Sequence, residues 1–240
     1  LRTLHVFTNL DAREPAPGVA LPVPFVVDRV ARAGDLVFVA GADVEDGALQ
    51  VLDLTVPQAP EVLATFAVDD LYDIEVVGHH LLVARFFEGL DVLDFSDPGD
   101  LQLQHALDLP GNPADIVITG ARACVRAGSW IHVLDVTDPP QATRLGQIAH
   151  DALDMALVGD RLYTVPWYAD PERQRLRVFS LADPAAPVEV SAVALPFVPS
   201  WVVADGDLLL PGSICGLALV DVADPEAPAV LSTIPIAYDH

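Results

Sequence analysis

Aspartate recurs at the start of short hairpins along this chain of 240 residues. Carboxylate oxygens suit a hard cation such as Ca²⁺, which accepts them in flexible geometry. Several carboxylates brought close together would repel one another unless a positive group compensated them. The pattern therefore predicts a candidate Ca²⁺ site, with the capping of local backbone amides as the alternative. The candidate metal ligands are Asp28, Asp73, Asp115, Asp154 and Asp239.

A second group of candidates lies in the loops that follow these hairpins and lead to the next strand. Aromatic side chains near arginine in such loops are typical of recognition surfaces, although the rings can instead fold back over the sheet edges. The longest of these segments, "PWYADPERQR", runs from Pro166 to Arg175, and its extra length favours a role in recognition. The candidate ligand-binding residues are Arg85, Phe86, Arg126, Trp167 and Tyr168.

Other chemistry finds little support in the sequence. No GxSxG motif, HExxH motif or phosphate-binding glycine loop occurs. His150 lies beside Asp151, where a general-base or cation-binding role is conceivable but has no supporting motif. Cys124 and Cys215 lack metal-ligand spacing, so we expect two free thiols. No catalytic residue is therefore assigned.

The charge balance excludes one class of partner. The chain has 35 acidic residues against 12 Lys and Arg, which gives a net charge of −23. Nucleic acid phosphates would be repelled by such a surface, so we expect no nucleic-acid partner. No apolar run is long enough to span a bilayer, so we also expect no membrane-spanning segment.

A repeated sequence motif predicts the strands and turns that position these candidates. The stretch "DVLDFSDP" at residues 91–98 has relatives such as "HVLDVTDP" at 132–139 and "ALVDVADP" at 218–225. In each, an Asp before Pro can accept a hydrogen bond from the amide two residues later, which is turn chemistry. The strands before these turns end at Thr8, Asp53, Asp94, Asp135, Ser180 and Asp221, so the period is 41 to 45 residues.

A hairpin signature precedes each of these strands. Examples are "DIEVVGHHLLVA" from Asp73 and "DMALVGDRLYTV" from Asp154, in which glycine separates two apolar stretches. Hairpin, third strand, Asp–Pro turn and fourth strand make a four-stranded unit, and such units at this period are typical of propeller blades. The sequence therefore predicts an all-β propeller of six blades, with seven less favoured. Each blade has four antiparallel strands, and one blade is split between the termini. We expect residues 1–240 to form a single propeller domain trimmed from a longer chain.

The combination of "GLDVLDFSDP", "GLALVDVADPEAP" and the Asp-led hairpins resembles the LVIVD repeat. This repeat forms β-propellers in bacterial and archaeal proteins that are often exported and whose biochemical role is largely undefined. The resemblance covers nearly the whole chain and is strongest from Leu49 to Pro228. It implies a propeller and export to the periplasm or cell surface.

Two functional hypotheses follow, beside a purely structural role in which the acidic exterior serves solubility. The first is a non-catalytic binding or scaffold propeller of an exported or cell-surface protein, whose protein or carbohydrate ligand binds the aromatic and arginine-bearing loops. The second is a Ca²⁺-dependent enzyme, a hydrolase or lyase, with the aspartates around the mouth of the propeller channel. We expect a monomer in either case. An exposed aromatic patch would favour the first hypothesis, and converging carboxylates would favour the second.

Overall fold

The computed structural model describes residues 2–6, 19–42, 47–168 and 170–236. Within these ranges the chain forms 22 β-strands and a single 3₁₀ turn at Pro139–Gln141. The strands make five four-stranded antiparallel sheets and one two-stranded sheet. The all-β prediction is confirmed, and contacts between Cα atoms divide the chain into two compact units.

Unit 1 comprises residues 1–114 and 139–141. It contains the two-stranded sheet β1–β2 and the four-stranded sheets β3–β6 and β7–β10, each with its strands side by side in chain order. Its strands are β1 (Arg2–Val6), β2 (Val19–Val23), β3 (Val26–Ala33), β4 (Leu36–Ala42), β5 (Gly47–Asp53), β6 (Glu61–Ala67), β7 (Leu71–Val77), β8 (His80–Arg85), β9 (Gly89–Asp94) and β10 (Gln102–Leu107).

Unit 2 comprises residues 115–138 and 142–240. It contains the sheets β11–β14, β15–β18 and β19–β22, again in chain order; the first two residues of β11 fall in unit 1. Its strands are β11 (Pro113–Thr119), β12 (Arg122–Ala127), β13 (Trp130–Asp135), β14 (Thr143–Ala149), β15 (Ala152–Val158), β16 (Arg161–Pro166), β17 (Arg175–Ser180), β18 (Val188–Ala194), β19 (Trp201–Asp205), β20 (Leu208–Ser213), β21 (Gly216–Asp221) and β22 (Ala229–Pro235).

The turns form as the repeat predicts. Gly78 joins the first two strands of its sheet at φ +60°, a left-handed conformation that glycine adopts without a Cβ penalty, and Gly159 repeats it at +57°. The amide of Gly99 donates to Asp97 Oδ1 at 3.0 Å, which is the predicted Asp–Pro turn bond. The amide of Ser96 likewise donates to Asp94 Oδ1 at 2.7 Å. Each aspartate therefore stabilises a turn.

A bulge recurs between the third and fourth strands of every four-stranded sheet. In β5–β6 the register shifts between Val51 and Leu52, and in β17–β18 it shifts between Val178 and Phe179, at the equivalent positions. The remaining sheets β9–β10, β13–β14 and β21–β22 do the same. The fourth strand is therefore always an edge strand with an interrupted ladder.

Consecutive sheets within a unit pack face to face. In unit 1, Phe38 and Val51 of β3–β6 share a core cluster with Ile74 and Val83 of β7–β10. In unit 2, Tyr163 of β15–β18 shares a cluster with side chains of β19–β22. We call the side of a sheet that meets the following sheet its forward face, and the opposite side its rear face.

The two-stranded sheet supplies the remaining part of the repeat. Its strand β1 has the sequence position of a third strand and β2 that of a fourth. Leu4 and Leu21 share a core cluster with Val37 and Val39 on the rear face of β3–β6 and with Phe25, which precedes β3. The residues predicted to begin the other half of the split blade, after Ile236, lie outside the described residues. The split blade and the single domain stay predictions.

Candidate functional site

Asp28 does not share a register with the other candidate ligands. Asp73 of β7 pairs with Ala84 of β8. The residue equivalent to Ala84 in the β3–β6 sheet is Ala40, and it pairs with Arg29 rather than with Asp28. A bulge in β3 skips Asp28, which is exposed, and the same bulge in β7 skips Tyr72, so Arg29 takes the position equivalent to Asp73. Arg29 Nε instead lies 2.9 Å from Asp73 Oδ1, and the Asp73 side chain is only 8% exposed. Arginine therefore supplies the positive charge that the calcium hypothesis assigned to a metal.

The other aspartates also bind protein groups. Asp154 Oδ2 accepts a hydrogen bond of 2.7 Å from the amide of Val202 and so links β15 to the next sheet. Asp115 Oδ2 lies 3.7 Å from Arg126 Nε. Asp239 lies outside the described residues. Over the ranges that the structure describes, no group of three or more His, Cys, Asp or Glu side chains is placed to hold a metal, so the predicted convergence on Ca²⁺ is not seen there.

Arg85 and Arg126 are likewise held by the protein. Arg85 Nη1 donates to Asp91 Oδ2 at 3.1 Å, and its Nε donates to the carbonyl of Asp69 at 3.2 Å. Arg126 is only 19% exposed beside Asp115. These two residues, predicted to contact a ligand, therefore stabilise the strand ends that carry the neighbouring loops.

Phe86 is the central ring of an aromatic cluster of three rings. Tyr72 stacks on Phe86 with ring centroids 4.6 Å apart, and Phe87 meets the same ring edge-on at 4.9 Å. Phe86 is half-buried, whereas Phe87 is 72% exposed. The ring predicted to bind ligand thus supports its neighbours, and Phe87 is the accessible one. Adjacent sequence positions gave no means of choosing between them.

The loop between β16 and β17, with Trp167 and Tyr168 at its start, forms the best-defined site, which we call the loop site. Trp167 is 40% exposed and Tyr168 is 51% exposed, with their ring centroids 5.8 Å apart. The Trp167 amide donates to the Asp151 carbonyl at 3.0 Å, and Arg173 Nη1 donates to the Tyr168 carbonyl at 3.0 Å. These bonds fix the backbone beneath both rings, so the aromatic pair is presented in a defined position.

Arg177 anchors the same loop from the strand β17. Its Nη2 donates to Asp170 Oδ2 at 2.9 Å, and its Nη1 donates to Glu189 Oε2 at 3.3 Å. Asp170 Oδ1 accepts a further bond of 2.7 Å from the amide of Glu172, so one carboxylate ties the loop to the sheet. The Arg177 side chain is 21% exposed, which strengthens these bonds relative to a fully solvated pair.

Two open clefts flank the loop site. One has a volume of about 720 Å³ and is lined by residues that include Tyr168, Arg173 and Leu195. The other has a volume of about 580 Å³ and is lined by Asp151, Trp167 and Arg177, among others. Both volumes fall in the range of small-molecule sites, and each cleft has an aromatic wall beside polar groups. The arrangement suits binding by ring stacking and hydrogen bonding.

His150 lies behind the loop site. Its Nε2 is 2.9 Å from Thr164 Oγ1, and its ring contacts Phe179 with centroids 5.4 Å apart. Burial, and secondarily the charge of Arg177, lower the pKa of His150, while Asp170, Glu189 and Asp151 oppose that shift. The side chain is 8% exposed. It is thus a packed, neutral imidazole at pH 7, and the structure gives no support to the conceivable general-base role.

Sequence reasoning missed the anchoring residues of the loop site. Asp170 and Arg177 were not singled out, although "ADPERQRLR" places a carboxylate and a strand arginine seven residues apart. The available signal was Arg177 itself, an arginine on the third strand of one repeat. The other repeats have Gln50, Asp91, His132 and Ala218 at that position.

Comparisons with known proteins give the fold and no family. No family model matches the sequence, and no curated protein matches it either. The LVIVD assignment therefore stays a resemblance. Solved structures do match. A functionally unknown protein from Desulfotomaculum acetoxidans is similar with a TM-score of 0.73 at 10% identity, over 90% of this chain and 72% of that one.

Other solved structures agree. A protein from Lactobacillus plantarum matches with a TM-score of 0.69 at 13% identity, over 92% of this chain and 74% of that one. Hsv2 from Kluyveromyces lactis matches with a TM-score of 0.64 at 11% identity, over 89% and 64%. The matched structures include seven-bladed β-propellers, and the predicted β-propeller fold is confirmed. The preference for six blades over seven stays a prediction.

No helix in the described part of the chain is long and apolar enough to cross a membrane.

Proposed function

We propose that this chain is a non-catalytic binding propeller of an exported or cell-surface protein, and that its ligand binds at the loop site. The observation that carries the proposal is the pair Trp167 and Tyr168, which is accessible on a loop that Arg173 and Arg177 hold in place. Exposed rings on a rigid backbone gain contact area on binding at low entropic cost.

The charged groups around the pair support binding rather than catalysis. Arg177 is shared between Asp170 and Glu189, and Glu172 lies 3.3 Å from Arg175. Mutual pairing of this kind commits these charged groups to holding the loop in place. A protein or a carbohydrate ligand fits the site because both can stack on the rings and hydrogen-bond to the polar groups in the clefts.

Isothermal titration calorimetry tests the proposal. The probes are soluble neutral and amino oligosaccharides on one side and a short Lys-rich peptide on the other. We expect saturable binding by one of these classes, weakened at least tenfold in Trp167→Ala and in Tyr168→Ala. Trp130→Ala is the matched control, because Trp130 is 39% exposed but lies outside the loop site.

Two results would overturn the assignment. One is equal binding by the wild-type protein and both loop variants, which would place the ligand elsewhere. The other is absence of binding by every probe at millimolar concentration. Cell fractionation tests export separately, and recovery of the full-length protein in the cytoplasm alone would contradict it.

A further inference from the structure

The sheet β19–β22 has an apolar forward face that remains accessible. This open face consists of Val203, Leu210, Leu217, Leu219 and Ile234. Val203 is 53% exposed and Ile234 is 59% exposed, and the three leucines are half-buried. A groove of about 200 Å³ runs along it, lined mainly by the leucines, Ser232 and Ile234.

The equivalent positions in the other four sheets are fully buried. Leu217 and Leu219 lie four and two residues before Asp221, the last residue of the third strand. Apolar side chains occupy the same two positions elsewhere and are 0% exposed: Leu49 and Val51, Leu90 and Val92, Ile131 and Val133, Leu176 and Val178. The chain therefore carries core-type residues on a face that the described residues leave accessible.

The fourth strand shows the same contrast. Ile234 pairs with Leu217. In the other two sheets of unit 2, Ile148 pairs with Ile131 and Val193 pairs with Leu176, at the equivalent positions. Ile148 is 7% exposed and Val193 is 9% exposed, against 59% for Ile234. The difference extends across the sheet and is not confined to one side chain.

The other sheets show what a forward face of this kind packs against. Tyr163, Leu176 and Val178 on the forward face of β15–β18 share a cluster with Val202 and Leu209 from the first two strands of β19–β22. In unit 1, Phe38 and Val51 meet Ile74, Leu81 and Val83 from the first two strands of β7–β10. Branched aliphatic side chains of a blade hairpin cover the forward face in both units.

We propose that the open face is a docking surface for one further β-sheet of this repeat, which presents the rear face of its first hairpin. An accessible patch of five large aliphatic side chains is typical of an interaction surface. The chain's own hairpins carry the complementary pattern, with Ile, Leu and Val at the rear-face positions. The partner is thus a blade hairpin with that pattern.

A peptide drawn from the chain itself provides the probe. The sequence of residues 71–85, LYDIEVVGHHLLVAR, contains Ile74, Leu81 and Val83. We expect the fluorescein-labelled peptide to bind the full chain saturably in fluorescence anisotropy, and a scrambled peptide of the same composition not to bind. Ile234→Asp should weaken binding at least tenfold. Because Ile234 is largely exposed, that variant should stay folded, and Leu219→Ser provides a second test.

Matched controls separate this surface from the loop site. Leu145→Asp changes a leucine that is 37% exposed on the edge strand β14, and it should leave peptide binding unchanged. Trp167→Ala should also leave it unchanged, so that failure of one proposal does not imply failure of the other.

Three outcomes would overturn the inference. The first is absence of saturable binding by the peptide at a concentration of several hundred micromolar. The second is retained binding in both Ile234→Asp and Leu219→Ser. The third is self-association of the wild-type chain in sedimentation velocity that both variants abolish, which would make a second copy of the chain the occupant.

Discussion

The loop after β8 and the loop after β16 occupy equivalent places in their sheets, but different forces hold them. After β8, Phe86 is fixed by stacking on Tyr72 and by the edge of Phe87. After β16, Asp170 and Arg177 fix the backbone and leave Trp167 and Tyr168 accessible. The first loop uses Phe86 as structure and presents Phe87 alone, whereas the second uses charged groups as structure and presents two adjacent rings. This difference is the reason to place recognition at the second loop.

The two regions also differ in how they respond to pH. In β7, burial and then the neighbouring charge of Asp73 raise the pKa of Glu75 to about 7. Behind the loop site, burial lowers the pKa of His150. The sheet that contains Glu75 therefore becomes less stable as pH rises towards neutrality. The sheet that packs on His150 becomes less stable as pH falls below the ordinary pKa of histidine.

The largest effect should come from removing the charge that anchors the loop site. We expect Arg177→Ala to lower the free energy of unfolding by about 2 to 3 kcal/mol, because Asp170 would stay near the sheet without its partner. Urea denaturation measures the change. Arg175→Ala is the control, since Arg175 is 46% exposed and should cost no more than about 0.5 kcal/mol. Equal effects of the two variants would show that the anchor has been misassigned.

The carboxyl group of Glu75 should give the next largest effect. Glu75 has a raised pKa in the folded protein, so its favourable contribution is complete below pH 4.5 and disappears as pH rises through about 7. Glu75→Gln should then raise the free energy of unfolding at pH 8 by about 1 to 2 kcal/mol after allowance for solvent screening. Urea denaturation at pH 4 and pH 8 should show no gain at the lower pH. A gain of the same size at both would exclude titration as the cause.

His150 should produce a smaller effect of the opposite sign. Its lowered pKa means that its contribution is complete above pH 6.5 and decreases as pH falls through the folded value. We expect His150→Asn to reduce the loss of stability between pH 7 and pH 5, measured by urea denaturation at both values. His105→Asn provides the control, because His105 lies outside this cluster on β10. An unchanged pH dependence in His150→Asn would assign the acid loss to other groups.

The smallest effects should separate the rings of the aromatic cluster. Phe87 is 72% exposed, so Phe87→Ala should change the free energy of unfolding by less than about 0.5 kcal/mol. Tyr72→Ala should cost about 1 kcal/mol because it removes the stacked partner of Phe86. Thermal denaturation of both variants checks the order. A larger cost for Phe87→Ala would show that this ring is structural rather than accessible.

The repeat was predictable because its determinants are local. A left-handed glycine such as Gly78 and the Asx bond of Asp97 depend on neighbours in the chain, so the turns, the strands and the propeller fold follow from short patterns. The roles of Asp73 and Arg85 were not predictable in this way. Their partners, Arg29 and Asp91, come from other strands, and Arg29 rather than Asp28 lies at the β3 position equivalent to Asp73.

Exposure of the aromatic candidates was partly predictable. Trp167 and Tyr168 lie in a loop of unusual length, and the structure leaves both accessible. Phe86, a predicted binding residue, is half-buried because it stacks on Tyr72 of β7, a contact between chain segments that no spacing rule encodes.

The recurring bulge in each fourth strand has a consequence for solubility. An unbroken edge strand presents a regular row of amide and carbonyl groups that can recruit a strand from another molecule and start a fibre. Here Leu63, Leu145 and Leu231 occupy the bulged position in three sheets and carry exposed aliphatic side chains, which would otherwise favour such pairing. By breaking the ladder at that residue in every four-stranded sheet, the chain keeps these edge strands from templating their own aggregation.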